Sequence, residues 1–289
     1  MKKFGLLFIM LSISLSWLVA EGQAQTIVTP RAYLPIIVGP PVFSCATTST
    51  NSYSSGIVYQ FDTDNPVRPA YNHADKNISL RSYTANNDPN TAWELVNYGS
   101  DDPTQPPQLA TLFNPNRVPA FAGIFQVHHW NWQPSPNPGS RADAITTPPV
   151  TAVSFTLSPG ETLHTPTSGY DIGGGQEAVV IFADADTIAL HYTREDTAAR
   201  GYTIHIDNIC TDPNLLALYN TLDAANGPRN QYPSPSYNLP TLAAGQPFGT
   251  TGLGSVVVAI ADTGTFQDPR SCNEWWQIRP GYTGSCPAP

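Results

Sequence analysis

The sequence predicts an all-β protein: an antiparallel β-sandwich or hybrid-type C-terminal domain, a β-rich N-terminal region and long Pro-rich loops. Three observations carry that prediction. The 289 residues include 29 Pro and 21 Gly but only 12% charged residues, so turns are frequent and amphipathic helices few. Apolar runs of strand length, rich in β-branched residues, recur at 178–183 (AVVIFA), 187–192 (TIALHY), 201–207 (GYTIHID) and 255–261 (SVVVAIA). Hydrophobic residues at 40% and six Trp supply a core for those strands to bury.

The chain opens with Lys2 and Lys3, continues through the apolar stretch 4–20 and reaches Gly22-Gln23-Ala24. That is the charge, core and small-residue order of a secretory signal peptide, with cleavage expected after Ala24. A membrane anchor would need a longer core, since about fifteen apolar residues containing Ser12, Ser14 and Ser16 fall short of the ~20 that span a bilayer. The mature chain is therefore expected to be secreted, periplasmic or held in the cell envelope, with no transmembrane segment. Removing residues 1–24 takes the formal charge from −9 to −10 and leaves Lys76 as the one lysine. An acidic surface repels phosphate backbones, which excludes nucleic acid as an expected partner and leaves neutral glycans or extracellular proteins.

Residues 25–55 form an extended Pro/Ser/Thr-rich segment, in which Pro30, Pro35, Pro40 and Pro41 exclude a helix. Residues 56–150 are β-rich and either stand alone or belong to the domain that follows. Strands are expected there at 56–61, 79–83, 93–98 and 121–132, between Asp/Asn/Pro turns, and no helix. Asp62, Asp64 and Asn65 offer oxygen ligands, but the Gly and Glu offsets of a calcium loop are missing, so they read as turn residues. Beyond residue 151, the runs 187–192 and 201–207 form a hairpin across 193–200. With its turn centred between Asp196 and Thr197, His191 would pair with Tyr202 and face away from His205. A short helix or turn starts at Asp212, and a Pro- and Asn-rich loop occupies 227–238.

The four cysteines suit an oxidising compartment. Cys45, Cys210, Cys272 and Cys286 allow three pairings. One of them closes a short loop between Cys272 and Cys286 across Arg279-Pro280-Gly281 and leaves Cys45 to tie the N-terminal region to Cys210. No CxxC spacing points to a metal centre.

The last third, with Leu242-Ala243-Ala244-Gly245-Gln246-Pro247-Phe248-Gly249, then Ser255-Val256-Val257-Val258-Ala259-Ile260, then a turn to Asp268-Pro269, resembles the lysostaphin-like M23 zinc peptidases. Leu218-Tyr219-Asn220-Thr221-Leu222 and Gly169-Tyr170-Asp171-Ile172 resemble two further elements of that family. The resemblance implies a hybrid β fold over 151–289 and a zinc site on one carboxylate and several His. Carried over residue by residue, it keeps Asp171 but puts Thr167, Thr221, Ser255 and Val257 where the family has His. One carboxylate cannot hold Zn²⁺ alone, so the resemblance implies a degenerate peptidase scaffold. No cofactor is expected, and zinc is disfavoured. If a metal or catalytic site has been rebuilt, its candidates are Asp171, His164, His191 and His205, which otherwise read as ordinary turn and strand residues.

Other chemistry is sparse. There is no Gly-x-Ser-x-Gly elbow, His-Glu-x-x-His helix or phosphate-binding loop, and Asp184 with Asp186 reads as a turn before a strand more readily than as a glycosidase pair. The aromatic stretch Phe125-Gln126-Val127-His128-His129-Trp130-Asn131-Trp132 is the remaining lead. On a strand Trp130 and Trp132 share a face, where they would either stack on sugar rings or cap the core; together with His128 they are the candidate ligand-binding residues. The sequence thus favours a secreted non-catalytic binding protein for glycan or protein. The alternatives are an extracellular hydrolase of cell wall peptide or glycan with a rearranged metal site, and a structural or assembly protein of the envelope.

Overall fold

The computed structural model describes residues 44–59, 68–97, 106–134, 137–226, 238–283 and 286. The expected signal segment, the Pro-rich stretch after it, the expected turn at Asp62, Asp64 and Asn65, and residues 227–237 lie outside the described residues.

In chain order the elements are β1 (Ser54–Ile57), a 3-10 turn at Ala70–Asn72, α1 (Ile78–Arg81), β2 (Tyr83–Ala85), a second 3-10 turn at Leu109–Leu112, β3 (Phe121–Asn131), β4 (Ser140–Ala144), β5 (Ala152–Thr156) and β6 (Thr162–His164). There follow β7 (Ala178–Ala183), β8 (Thr187–His191), β9 (Tyr202–Asp207), β10 (Ile209–Thr211), α2 (Pro213–Asn226), β11 (Asn238–Leu242), β12 (Pro247–Thr251), β13 (Ser255–Asp262), β14 (Thr265–Gln267) and α3 (Cys272–Trp275).

Nine strands run in the order β1-β11-β7-β8-β9-β13-β5-β3-β2 in one large antiparallel sheet, with β14 on β13 and β4 on β3. A small sheet holds β10-β12-β6. The all-β, sandwich-like prediction therefore holds. The sheet also joins the two halves of the chain, because β3 and β5, on either side of residue 150, are hydrogen-bonded neighbours.

Alternation along β13 divides the interior. Val256, Val258 and Ile260 enter the larger core with Phe155, Trp275 and Trp276, while Val257, Ala259 and Ala261 face a smaller core with Ile78, Val127 and Phe266. The smaller core is the one roofed by the segment 68–82. Two disulfides are present, Cys45–Cys210 and Cys272–Cys286. No helix among the described residues is long and apolar enough to cross a membrane.

Several elements differ from their sequence reading. Residues 79–83 divide between α1 and β2, because Asn77 caps the helix by accepting from Ser79 N at 3.0 Å and Ser82 reverses the chain at φ 55°. Residues 93–97 form no strand; Val96 makes a single parallel bridge to Ser271. The element at Asp212 is a full 14-residue helix, α2, capped by Asp212 Oδ1 accepting from Asn214 N at 2.9 Å and anchored by buried Leu215 and Tyr219.

Candidate functional site

The hairpin register decides what the smaller core contains. His191 pairs with Thr203, and Ala189 with His205, one residue away from the sequence-based register. That shift puts His191 and His205 on the same face, and the expectation that they point apart is wrong. Tyr192 N donates to Tyr202 O at 2.9 Å, so the hairpin is centred on Thr197 instead of between Asp196 and Thr197, and this odd loop offsets every pair by one. Gly201 closes the loop at φ 69°, where a Cβ would meet Thr193 Cγ2 at 2.6 Å.

Thr187, Ala189 and His191 on β8 and Thr203, His205 and Asp207 on β9 line this face. Thr203 Oγ1 lies 2.8 Å from His191 Nδ1, whereas His191 Nε2 and His205 Nδ1 are buried without a hydrogen-bond partner. Burial lowers the pKa of His191 to about 4 and of His205 to about 3. At His191 the Asp196 charge works against burial and the smaller Lys76 effect works with it, while at His205 the Arg81 charge adds to burial. Both rings are therefore neutral.

The roof over this face is the segment 68–82. Lys76 is fully buried, and its Nζ donates to Asp196 Oδ2 at 2.9 Å. Arg81 donates to the carbonyls of Ala74 and His128 at 3.0 Å each, and its guanidinium lies 5.4 Å from the Phe266 ring centre. Its remaining Nη2 donates to Asp75 Oδ1 at 2.5 Å. At the far end Tyr83 and Thr187 both donate to Asp207, at 2.8 Å each. Burial and the Asp207 charge hold the Tyr83 hydroxyl well above the usual phenol range.

A cleft opens beside this roof. His73, Asp75, Trp132, Thr197, Ala198, Ala199, Thr263 and Gly264 line about 330 Å³. Trp132 is 40% exposed. The Arg68 guanidinium lies 4.9 Å from its ring centre and the His73 ring 5.1 Å away, while Arg68 Nε donates to Asn137 O at 2.9 Å. The wall indole is thus held by buried neighbours, which fixes its orientation for a ligand.

The other sequence candidates are dispersed. Trp130 is half-buried and donates Nε1–H to Pro138 O at 2.7 Å; its ring stands at 70° to Trp132, so the pair makes a corner rather than a flat platform. His128 is tied up locally, with Nδ1 2.8 Å from Ala142 O and Nε2 2.7 Å from Thr84 Oγ1. Asp171 is exposed in a turn, accepting from Gly173 N at 2.7 Å. His164 ends β6 opposite Pro247 with its Nδ1 buried and unpartnered. Of the positions mapped from the peptidase family, Thr221 is exposed on α2 and Val257 is buried in the smaller core. Asp184 accepts from the backbone of Asp186 and Thr187, which is a turn geometry. Among the described residues, no three His, Cys, Asp or Glu side chains are grouped so as to hold a metal ion.

Sequence reasoning left out Lys76, His73 and Asp75 as site residues and read Asp196 only as part of the hairpin turn, whereas it is fully buried. The signal that pointed toward them was the isolation of Lys76 as the one lysine beyond residue 3. Compared with protein-family models, curated proteins and solved structures, the chain finds no match.

Proposed function

We propose that the protein is an extracytoplasmic, non-catalytic binding protein that takes a neutral saccharide in the cleft beside Trp132. The observation that carries the reading is an exposed, rigidly held indole facing a polar wall in a cavity of about 330 Å³, near the lower end of small-ligand sites. Pyranose rings present C–H faces that pack on an indole. Their hydroxyls need fixed polar partners, and Asp75, pinned through Oδ1 by Arg81, offers its second carboxylate oxygen as an acceptor. The acidic chain, at −9, disfavours anionic sugars. Two disulfides fit an oxidising compartment, and export by the N-terminal segment belongs to the same proposal. The degenerate peptidase-like scaffold is a separate part of it, and saccharide binding does not depend on that ancestry.

Calorimetric titration with a panel of neutral oligosaccharides tests the reading. Saturable binding is expected, weakened roughly tenfold in Trp132→Ala, the ~1.4 kcal/mol scale of one aromatic contact. Trp93→Ala, which removes an indole 54% exposed outside the cleft, should leave binding unchanged. Chelator-sensitive cleavage of cell wall peptide, with no sugar binding, would instead support the hydrolase.

A further inference from the structure

Beneath the cleft, Lys76 Nζ and Asp196 Oδ2 are in direct contact at 2.9 Å, and both side chains are fully buried. Holding both charges there carries a large desolvation cost. Lysine and aspartate differ by one mobile proton from an amine and a carboxylic acid, the two groups that condense to an amide. Among the described residues the nearly buried pair Arg270 with Asp268 has no such route, because a guanidinium does not deprotonate in a protein. Lys76 also differs in reach: its partner is 120 residues away, on the β8–β9 loop.

His191 ends the strand that leads into the Asp196 loop, and its buried Nε2 has no hydrogen-bond partner. A neutral imidazole accepts a proton at that nitrogen and returns it. Water, which would solvate the amine and stabilise the ion pair, is excluded from both groups.

We propose that Lys76 and Asp196 are joined by a self-formed intramolecular amide cross-link. Nζ attacks Cγ as a neutral amine, forming the N–C bond. One nitrogen proton passes by way of His191 to a carboxyl oxygen of the tetrahedral adduct. The C–O bond to that oxygen then breaks and water leaves. One amine and one carboxylic acid become one amide and one water, with no oxidant, reductant or cofactor. Because Asp75 and Thr197, the sequence neighbours of the pair, line the cleft, the bond ties its two walls together and fixes their spacing.

Mass spectrometry of the purified chain, reduced and denatured, tests this without relying on a variant. The expected mass is one water below that of the sequence with free thiols. Trypsin should then leave Lys76 uncut, with the peptide that ends at Arg81 covalently joined to residues 195–200. An amine-reactive label applied in denaturant should miss Lys76. Lys76→Arg and Asp196→Ala should both restore the full mass and abolish the joined peptide. A wild-type chain at full mass, cut at Lys76 and labelled there, would overturn the proposal.

Discussion

His191 and His205 make stability depend on pH between pH 7 and pH 5. In the folded chain their pKa values lie at about 4 and about 3, against about 6.5 for an unfolded histidine. Above pH 6.5 both states are neutral and neither residue penalises folding. As pH falls below 6.5 the unfolded chain takes up protons that the folded chain refuses, so stability declines until the folded values are passed. For His191 the full loss is on the order of 3 kcal/mol at 1.36 kcal/mol per unit. Urea unfolding at pH 7, 6 and 5 should show a falling midpoint before most carboxylates titrate, and His205→Gln should flatten that fall. A midpoint unchanged from pH 7 to pH 5 would mean that the pair is not buried as described.

At the scale of elements, the hairpin β8–β9 shows what was legible and what was not. The strands themselves were readable from β-branched apolar runs. Their register was not, because the midpoint of the loop between them falls on Thr197 and moves every partner by one. That one step separates two histidines on opposite faces from two on the same face. Gly201→Ala should destabilise the protein by more than the ~1–2 kcal/mol that a left-handed alanine costs, because Thr193 stands 2.6 Å from the added Cβ. Gly174→Ala, at φ 70° with nothing within 4 Å, should show only the backbone cost. Calorimetric melting of the two variants separates these contributions. The roof 68–82 was illegible for another reason. Its Lys76 and Arg81 carry the residue types of a solvated surface, and only the tertiary partners Asp196 and His128 O bury them. The cleft inherits that blindness. Trp132 was readable as an aromatic lead, but His73 and Asp75 join it only through the roof.

Over the whole molecule, the arm before β1 is fastened twice to the segment between β9 and α2. Cys45 is bonded to Cys210 across 165 residues, and Asp212 accepts from Ser49 Oγ at 2.6 Å and Asn51 Nδ2 at 2.7 Å. Chain entropy makes the longer closure the more stabilising one: more than ~4 kcal/mol for a loop above a hundred residues, against ~3 for a loop of about fifteen. Denaturation of the paired Cys→Ser variants should rank Cys45/Cys210 above Cys272/Cys286, whose separation is 14. These restraints hold the sheet that carries the hairpin, the roof and the cleft between them, and the functional reading rests on that cleft. A crystal structure of the protein with a neutral oligosaccharide that it binds in solution is its most direct test. The account predicts a sugar ring packed on the Trp132 indole with a hydroxyl hydrogen-bonded to Asp75; a sugar bound elsewhere, with the Trp132 cleft empty, would contradict it.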